Sequence, residues 1–339
     1  MKVRNLDGVS RVSGVRQPIT AGGVRYYGVG RRDLCPCGSR RHAHNCHLAS
    51  DLTWVAASPP PLLTGERTEY SNPQCYARCT ADCSEDMTRE HWMGKEVLKL
   101  IRDEDSVIEI GNAAWLPGAA DSLPVGINSL ASWILCRRHN HALSRLDAVG
   151  TRFYQLFRDD QRDLSYHEGS GPFANTLTLA NGADFERWML KVLWGAIEAG
   201  TIRIHGEKAY RFRLGVTREQ LAEILWRGAP WPRSWGLYAL IEPHDPMRSN
   251  KFNSVTLRWA LAGSEILAGF MRFGHIELCI SFETPPVPAI FRPGGLVLRR
   301  AGFENWKLFG LAWPEEGHGP LVAESQVGPD GDVHQPPFS

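Results

Sequence analysis

Residues 1–30 carry apolar side chains at no regular interval among glycines and arginines, and read as an irregular arm. The first helical spacing lies at Lys95–Ile101, where Val97, Leu98 and Ile101 share a side. Val107-Ile108-Glu109-Ile110 predicts a strand, followed by a Gly/Pro-rich loop through Gly126. Ser132-Trp133-Ile134-Leu135 predicts a second strand that feeds Cys136. His139 to Val149 predicts a helix with Leu143 and Leu146 toward the core. Beyond 150, Asp184–Ala199 is the clearest amphipathic helix, with Phe185, Trp188, Met189, Val192, Leu193 and Ile197 at helical spacing. Thr217–Trp226 predicts another helix, with Thr217 as N-cap and Glu219 and Gln220 in its first turn. From Gly236 on, the pattern turns to short strands: Ser254–Leu261, Ile266–Phe273, Ile276–Phe282 and Leu296–Arg299. The expected class is α+β, ending in a C-terminal domain with a mostly antiparallel sheet. No internal repeat is present, and the last dozen residues, rich in Gly, Pro and Asp, read as loose.

Composition excludes some classes of function. A chain of 339 residues can bury a large core, and 43% hydrophobic residues with net charge +1 is an ordinary globular balance. Near-neutrality means that any nucleic-acid site must be a local patch. Met1-Lys2-Val3-Arg4-Asn5 lacks the apolar core of a signal peptide. The most apolar long stretch, Leu257–Met271, is interrupted by Arg258, Ser264 and Glu265, so no membrane span is expected. Seven of the eight cysteines fall between Cys35 and Cys136, interspersed with histidines. That clustering points to bound metal rather than disulfides, and to a cytoplasmic protein.

Cys35-Pro36-Cys37-Gly38-Ser39 followed by Cys46-His47 gives four zinc-type ligands within thirteen residues, enough for one tetrahedral structural site. Gly38 allows a sharp turn after the first pair. The alternative is a set of unrelated cysteines on a surface loop. All four positions resemble the SEC-C motif, a small zinc knuckle. The resemblance implies a fold-stabilising Zn2+ and a binding surface, not catalysis. His42 and His44, inside the loop, are expected in solvent.

A second group begins with Cys75, Cys79 and Cys83 and closes with Cys136-Arg137-Arg138-His139. Cys136 and His139 make half a zinc site at a strand-to-helix junction, and two of the three upstream cysteines would complete it. Between the halves lies Glu90-His91, and Asn140 follows His139 directly. A neutral histidine can take a proton from water, while Asn and Glu oxygens suit a hard cation on a scissile phosphate.

These residues resemble the HNH nucleases with a ββα-metal fold, in which zinc-binding pairs bracket the core. The resemblance covers about residues 71–150, and Ser144-Arg145-Leu146-Asp147 extends it along the helix. It implies His91 as general base, with Glu90 and Asn140 holding one Mg2+ or Mn2+. Asn128 is the candidate for the middle asparagine, although it lies a few residues early, and the interval from His91 to Cys136 is long. Each residue also has a plainer reading. His91 could be a packed histidine, and Asn140 a helix cap with His141 competing as ligand. Asp147 could be a helix-surface carboxylate, and Arg137 and Arg138 solvated cations rather than phosphate contacts. Cys279 reads as a core thiol, and the tryptophans of the C-terminal half as core rather than a base cage. Asp159-Asp160-Gln161-Arg162-Asp163 reads as a solvated turn. Glu242-Pro243-His244-Asp245 and Glu315-Glu316-Gly317-His318 hold ligand-type residues without partners.

The expected division is an arm over 1–30, a zinc knuckle over 31–50 and a linker over 51–70 marked by Ser58-Pro59-Pro60-Pro61. A nuclease-like core follows over 71–150, then an α+β domain over 151–326 and a loose tail over 327–339. The expected activity is metal-dependent endonucleolytic hydrolysis, with DNA as partner and restriction or phage defence as the role implied by the resemblance. The alternative is a non-catalytic zinc-scaffolded module that binds nucleic acid or protein.

Overall fold

A computed structural model describes residues 9–13, 19–21, 24–26, 30–37, 39–50, 52–102, 107–111, 122–165, 174–201, 211–213, 215–240, 255–273, 276–285, 287–300, 305–314, 322–327 and 333–334. Gly38, His244 and His318, with the segments named around the two histidines, lie outside the described residues.

In chain order the first elements are β1 (Val9–Ser13), β2 (Ile19–Ala21), β3 (Val24–Tyr26), β4 (Met87–His91), α1 (Lys95–Ile101), β5 (Val107–Gly111), β6 (Ser122–Gly126), β7 (Ala131–Cys136) and α2 (Arg137–Ser165). Then come β8 (Thr176–Asn181), α3 (Gly182–Glu198), β9 (Arg211–Phe212), α4 (Arg218–Ala222), β10 (Gly236–Leu240), β11 (Val255–Ala262), β12 (Glu265–Phe273) and β13 (Ile276–Ser281). The last are β14 (Ala289–Phe291), β15 (Gly295–Arg300), β16 (Trp306–Ala312), β17 (Val322–Val327) and β18 (Val333–His334).

One sheet runs β1-β8-β16-β15-β17-β18 and mixes antiparallel pairs with the parallel pairs β8/β16 and β15/β17. A second runs β11-β12-β13-β10-β14, antiparallel, with β9 added parallel to β12. The class is therefore α+β with largely antiparallel sheets. β1 lies within residues expected to be irregular, yet it pairs with β8 from Val9↔Ala180 to Ser13↔Thr176. The Pro-rich stretch after the knuckle is fastened at several points. Val55 bridges Trp313, and Leu62 N–H donates to Trp226 O at 2.8 Å. No helix among the described residues is long and apolar enough to cross a membrane.

α3 is the axis of the molecule. Asn181 caps it by accepting from the Ala183 and Asp184 N–H groups. Its sequence reads as amphipathic, which implies a wet polar face, but both faces are buried from Asp184 to Ala196. Each charged side chain instead meets a different element. Asp184 takes Arg145 of α2 at 2.6 Å, Glu186 takes the Leu237 N–H of β10 at 2.7 Å, and Arg187 donates to Leu225 O at 2.6 Å. Burying charge is costly unless it is paired, so these contacts fix where each neighbour sits. α2 crosses α3 closely at Gly150, where a Cβ would stand 2.0 Å from the Trp188 ring.

α2 also runs further than its apolar spacing foretold. The run Asp159–Asp163, expected as a solvated turn, is helical, and Asp160 is fully buried. Arg11 of β1 pairs with Asp160, and Lys307 of β16 lies 2.9 Å from Asp163. The tryptophans Trp188, Trp194 and Trp226 are core, as is Cys279. Thr217 caps α4 through a full capping box with Gln220, and the helix continues as a π turn over Glu223–Arg227.

Candidate metal centres and the adjoining strand pair

Cys35, Cys37, Cys46 and His47 bring their ligand atoms within 4.8 Å of one another. The loop is closed by Cys35 N–H to Arg41 O at 2.7 Å. Ala43 O accepts from Cys46, His47 and Leu48, which turns the second ligand pair back on the first. Cys37 Sγ lies 3.4 Å from Cys46 Sγ, and His47 Nδ1 is 3.2 Å from Cys46 Sγ and 3.4 Å from Cys35 Sγ. Zn–S bonds of about 2.3 Å in a tetrahedron put ligand atoms roughly 3.5–3.8 Å apart, so the set fits a structural zinc. Burial pushes the Cys35 thiol up. At Cys37 burial acts the same way, but hydrogen bonds from Ser39 outweigh it and hold the thiol below its usual range. His42 is exposed and His44 half-buried. Each ring sets Nδ1 2.5 Å from a backbone carbonyl, of Arg32 and Arg31 respectively.

The second cluster is Cys75, Cys83, Cys136 and His139, all buried. Of the three upstream cysteines it takes Cys75 and Cys83. Cys79 rides on the turn Arg78–Thr80, half-buried and outside the cluster, so its place among the ligands is withdrawn. His139 Nδ1 lies 3.1 Å from Cys136 Sγ and 3.8 Å from Cys75 Sγ. Its other nitrogen, Nε2, is 3.0 Å from Thr80 Oγ1, whose single proton is given to Ala77 O at 2.9 Å. Thr80 must therefore accept from Nε2–H, which leaves the Nδ1 lone pair facing the sulfurs. Cys136 is held far below the ordinary thiol range, first by the Cys75 hydrogen bond, and the same contact pushes Cys75 up. Trp226 closes the cluster, edge-on to His139 at 5.0 Å and donating Nε1–H to His139 O at 3.2 Å.

This cluster ties the base of the two-stranded β4/β7 sheet to the start of α2. The strands pair from Met87↔Cys136 to His91↔Ala131, with an irregularity between Thr88 and Arg89. Because strand residues alternate, Glu90 and His91 point to opposite faces. Glu90 turns inward and is 4% exposed. There Lys191 Nζ of α3 lies 2.5 Å from Glu90 Oε1, 2.9 Å from Asp147 Oδ1 and 2.9 Å from His91 O. Three oxygens around one ammonium match its three donors. Burial lowers the Lys191 pKa, but Asp147 and Glu90 outweigh it, so the group is raised and stays charged. Gly94, at φ +81°, lets the chain turn under Asp147, whose Oδ1 would lie 2.8 Å from any Cβ there.

His91 faces the other way and is half-buried, with Nε2 shielded and unpartnered. Burial lowers its pKa, and Lys95, Lys191 and Arg89 lower it further, against a backbone hydrogen bond at Ile127. Asn140 donates Nδ2–H to Thr88 Oγ1 at 2.9 Å. Asn128 lies in the exposed turn Ile127–Leu130, where its carbonyl accepts from Arg89 at 2.5 Å. His141 is exposed. Arg138 is committed to the fully buried Asp82 at 2.8 Å, which Arg227 also pairs, and Arg137 pairs Asp86 at 3.2 Å. Lys191 was not among the residues singled out from sequence. The available signal was a lysine between Leu190 and Val192, on the same helical stripe as Asp184 and Trp188.

No family model, no curated protein and no solved structure matches this chain.

Proposed function

We propose that the chain hydrolyses phosphodiester bonds of nucleic acid, DNA first, as an HNH-type endonuclease with His91 as general base. The observation that carries this reading is the His91 ring. Burial and nearby cations lower its pKa, which favours the neutral base, its Nε2 is unpartnered, and it sits on a two-stranded sheet braced by a zinc-type cluster. Arg89 and Lys95 beside it would draw in a phosphodiester and offset charge as the bond breaks. Zinc at the two Cys/His clusters would hold the scaffold and supply no chemistry of its own.

The hard cation of the resemblance fits less well. Lys191 already takes Glu90 Oε1, Asp147 Oδ1 and the His91 carbonyl, and buried Glu90 points to the face opposite the His91 ring, so it is poorly placed to hold Mg2+ or Mn2+ beside that ring. That mismatch favours a second reading, a zinc-scaffolded module that binds nucleic acid without cutting it. Plasmid cleavage with and without Mg2+ or Mn2+, run beside His91→Ala, separates the two. Nicking by the wild type that disappears in His91→Ala, with zinc content and circular dichroism unchanged, supports hydrolysis. Undiminished nicking by the variant removes His91 as base, and absence of nicking by the wild type selects the binding module.

A further inference from the structure

Trp133 is the most exposed large hydrophobic side chain among the described residues, at 62%. Trp188, Trp194, Trp226, Trp306 and Trp313 are fully buried by contrast. A single exposed apolar side chain is ordinary on its own, so what surrounds Trp133 decides whether the position carries meaning. Its surroundings say what kind. Trp133 is the cross-strand partner of Arg89, and Ala131, two residues along β7, is the partner of His91. Directly paired residues share a sheet face, so indole, guanidinium and imidazole line one surface, with only the methyl of Ala131 beside His91. Trp133 and Ala131 are roughly 7 Å apart along the strand.

The charge on this face is positive. Among the described residues Arg89 donates to the backbone carbonyls of Asn128 and Ala131, and no carboxylate pairs with it or with Lys95. Arg89 is thereby held in place with its charge uncompensated. A flat apolar ring beside a fixed guanidinium and a second cation matches a nucleobase joined to a phosphodiester. A base inside a duplex shows no free ring face, whereas an unpaired base does.

We propose that the Trp133–Arg89 face of the two-stranded β4/β7 sheet binds single-stranded nucleic acid. An unpaired base stacks on Trp133, and the adjoining phosphate rests on Arg89 and Lys95 beside His91. The proposal rests on the reading that this face meets nucleic acid, and it holds whether or not the strand is then cut.

The test is fluorescence anisotropy with full-length protein and no added Mg2+ or Mn2+. The probes are fluorescein-labelled oligothymidylate, oligouridylate and a blunt DNA duplex of equal length. The expected result is single-strand binding at least about tenfold tighter than duplex binding. Trp133→Ala should weaken it by at least about fivefold, while Trp133→Phe keeps most of it. Arg89→Ala should also weaken it and reduce the salt dependence by about one counterion. The two labelled single strands distinguish DNA from RNA. Duplex binding equal to or tighter than single-strand binding overturns the proposal, as does Trp133→Ala binding like wild type. Since Trp133 is exposed, its variants should keep their zinc and their far-ultraviolet circular dichroism. Wild-type protein that binds single strands through Trp133 yet never nicks DNA would refute hydrolysis alone. Nicking lost in His91→Ala but untouched in binding by Trp133→Ala would refute the stacking face alone.

Discussion

The proton on Thr80 decides what His139 can be. With that proton spent on Ala77 O, the hydroxyl can only accept from Nε2–H, and Nδ1 is left as a ligand. Zinc analysis by mass spectrometry should therefore find one zinc fewer per chain in His139→Ala or Cys83→Ser, and no loss in Cys79→Ser. Retention of full zinc by Cys83→Ser would disprove the ligand set. His91 carries a second residue-scale consequence. Its pKa is lowered first by burial and then by Lys95, Lys191 and Arg89, and a base works only when neutral. The acid limb of a cleavage–pH profile should thus lie below about 6.5, the ordinary histidine value, and Arg89→Ala should move it upward. The same sign holds for stability. The unfolded chain binds this proton more readily, so the contribution of neutral His91 is full above the unfolded pKa and fades as pH falls toward the folded one.

Among the elements, the Lys191 ammonium joins β4, α2 and α3 through Glu90, Asp147 and the His91 carbonyl. Removing one partner of a buried ion pair strands the others, so Lys191→Ala should lose roughly 3–5 kcal/mol in urea denaturation. A change below about 1 kcal/mol would mean that the carboxylates find water or protons instead. Gly150→Ala pushes a methyl into the Trp188 ring and should cost about 1–3 kcal/mol in the same measurement. What the sequence disclosed follows from these contacts. Lys95–Ile101, Val107–Ile110, the strand before Cys136 and the strands β11, β12, β13 and β15 each announce themselves through local spacing, and form within a residue or two of their expected limits. β8, β10 and β16 do not: every residue in them is buried, so no solvent side marks them, and of the fully buried strands only β13 is legible, from its apolar run. The length of α2 was hidden too, since Asp160 and Asp163 depend on Arg11 and Lys307, far away in the chain. At the site, the ligand types of both clusters were legible from Cys and His spacing, but Lys191 was not. A lone lysine in an apolar helix acquires meaning only once Glu90 and Asp147 are folded against it.

For the whole molecule, the second cluster gathers ligands from either side of the segment that holds α1, β5 and β6, whereas the knuckle draws on thirteen consecutive residues. Stripping zinc with a strong chelator should therefore loosen β4, β7 and the start of α2 together. Hydrogen exchange should report faster exchange there than in β12 and β13, and uniform protection across all of them would count against a bracing role for the metal. The first sheet has a different consequence. β1 is made well before its partner β8, and it lies two strands from β16, which follows later still. At ordinary translation speeds β1 waits on the order of ten seconds or more before a partner emerges from the ribosome. During that interval the nascent chain carries an unpaired edge, and this is when a chaperone would have most to protect.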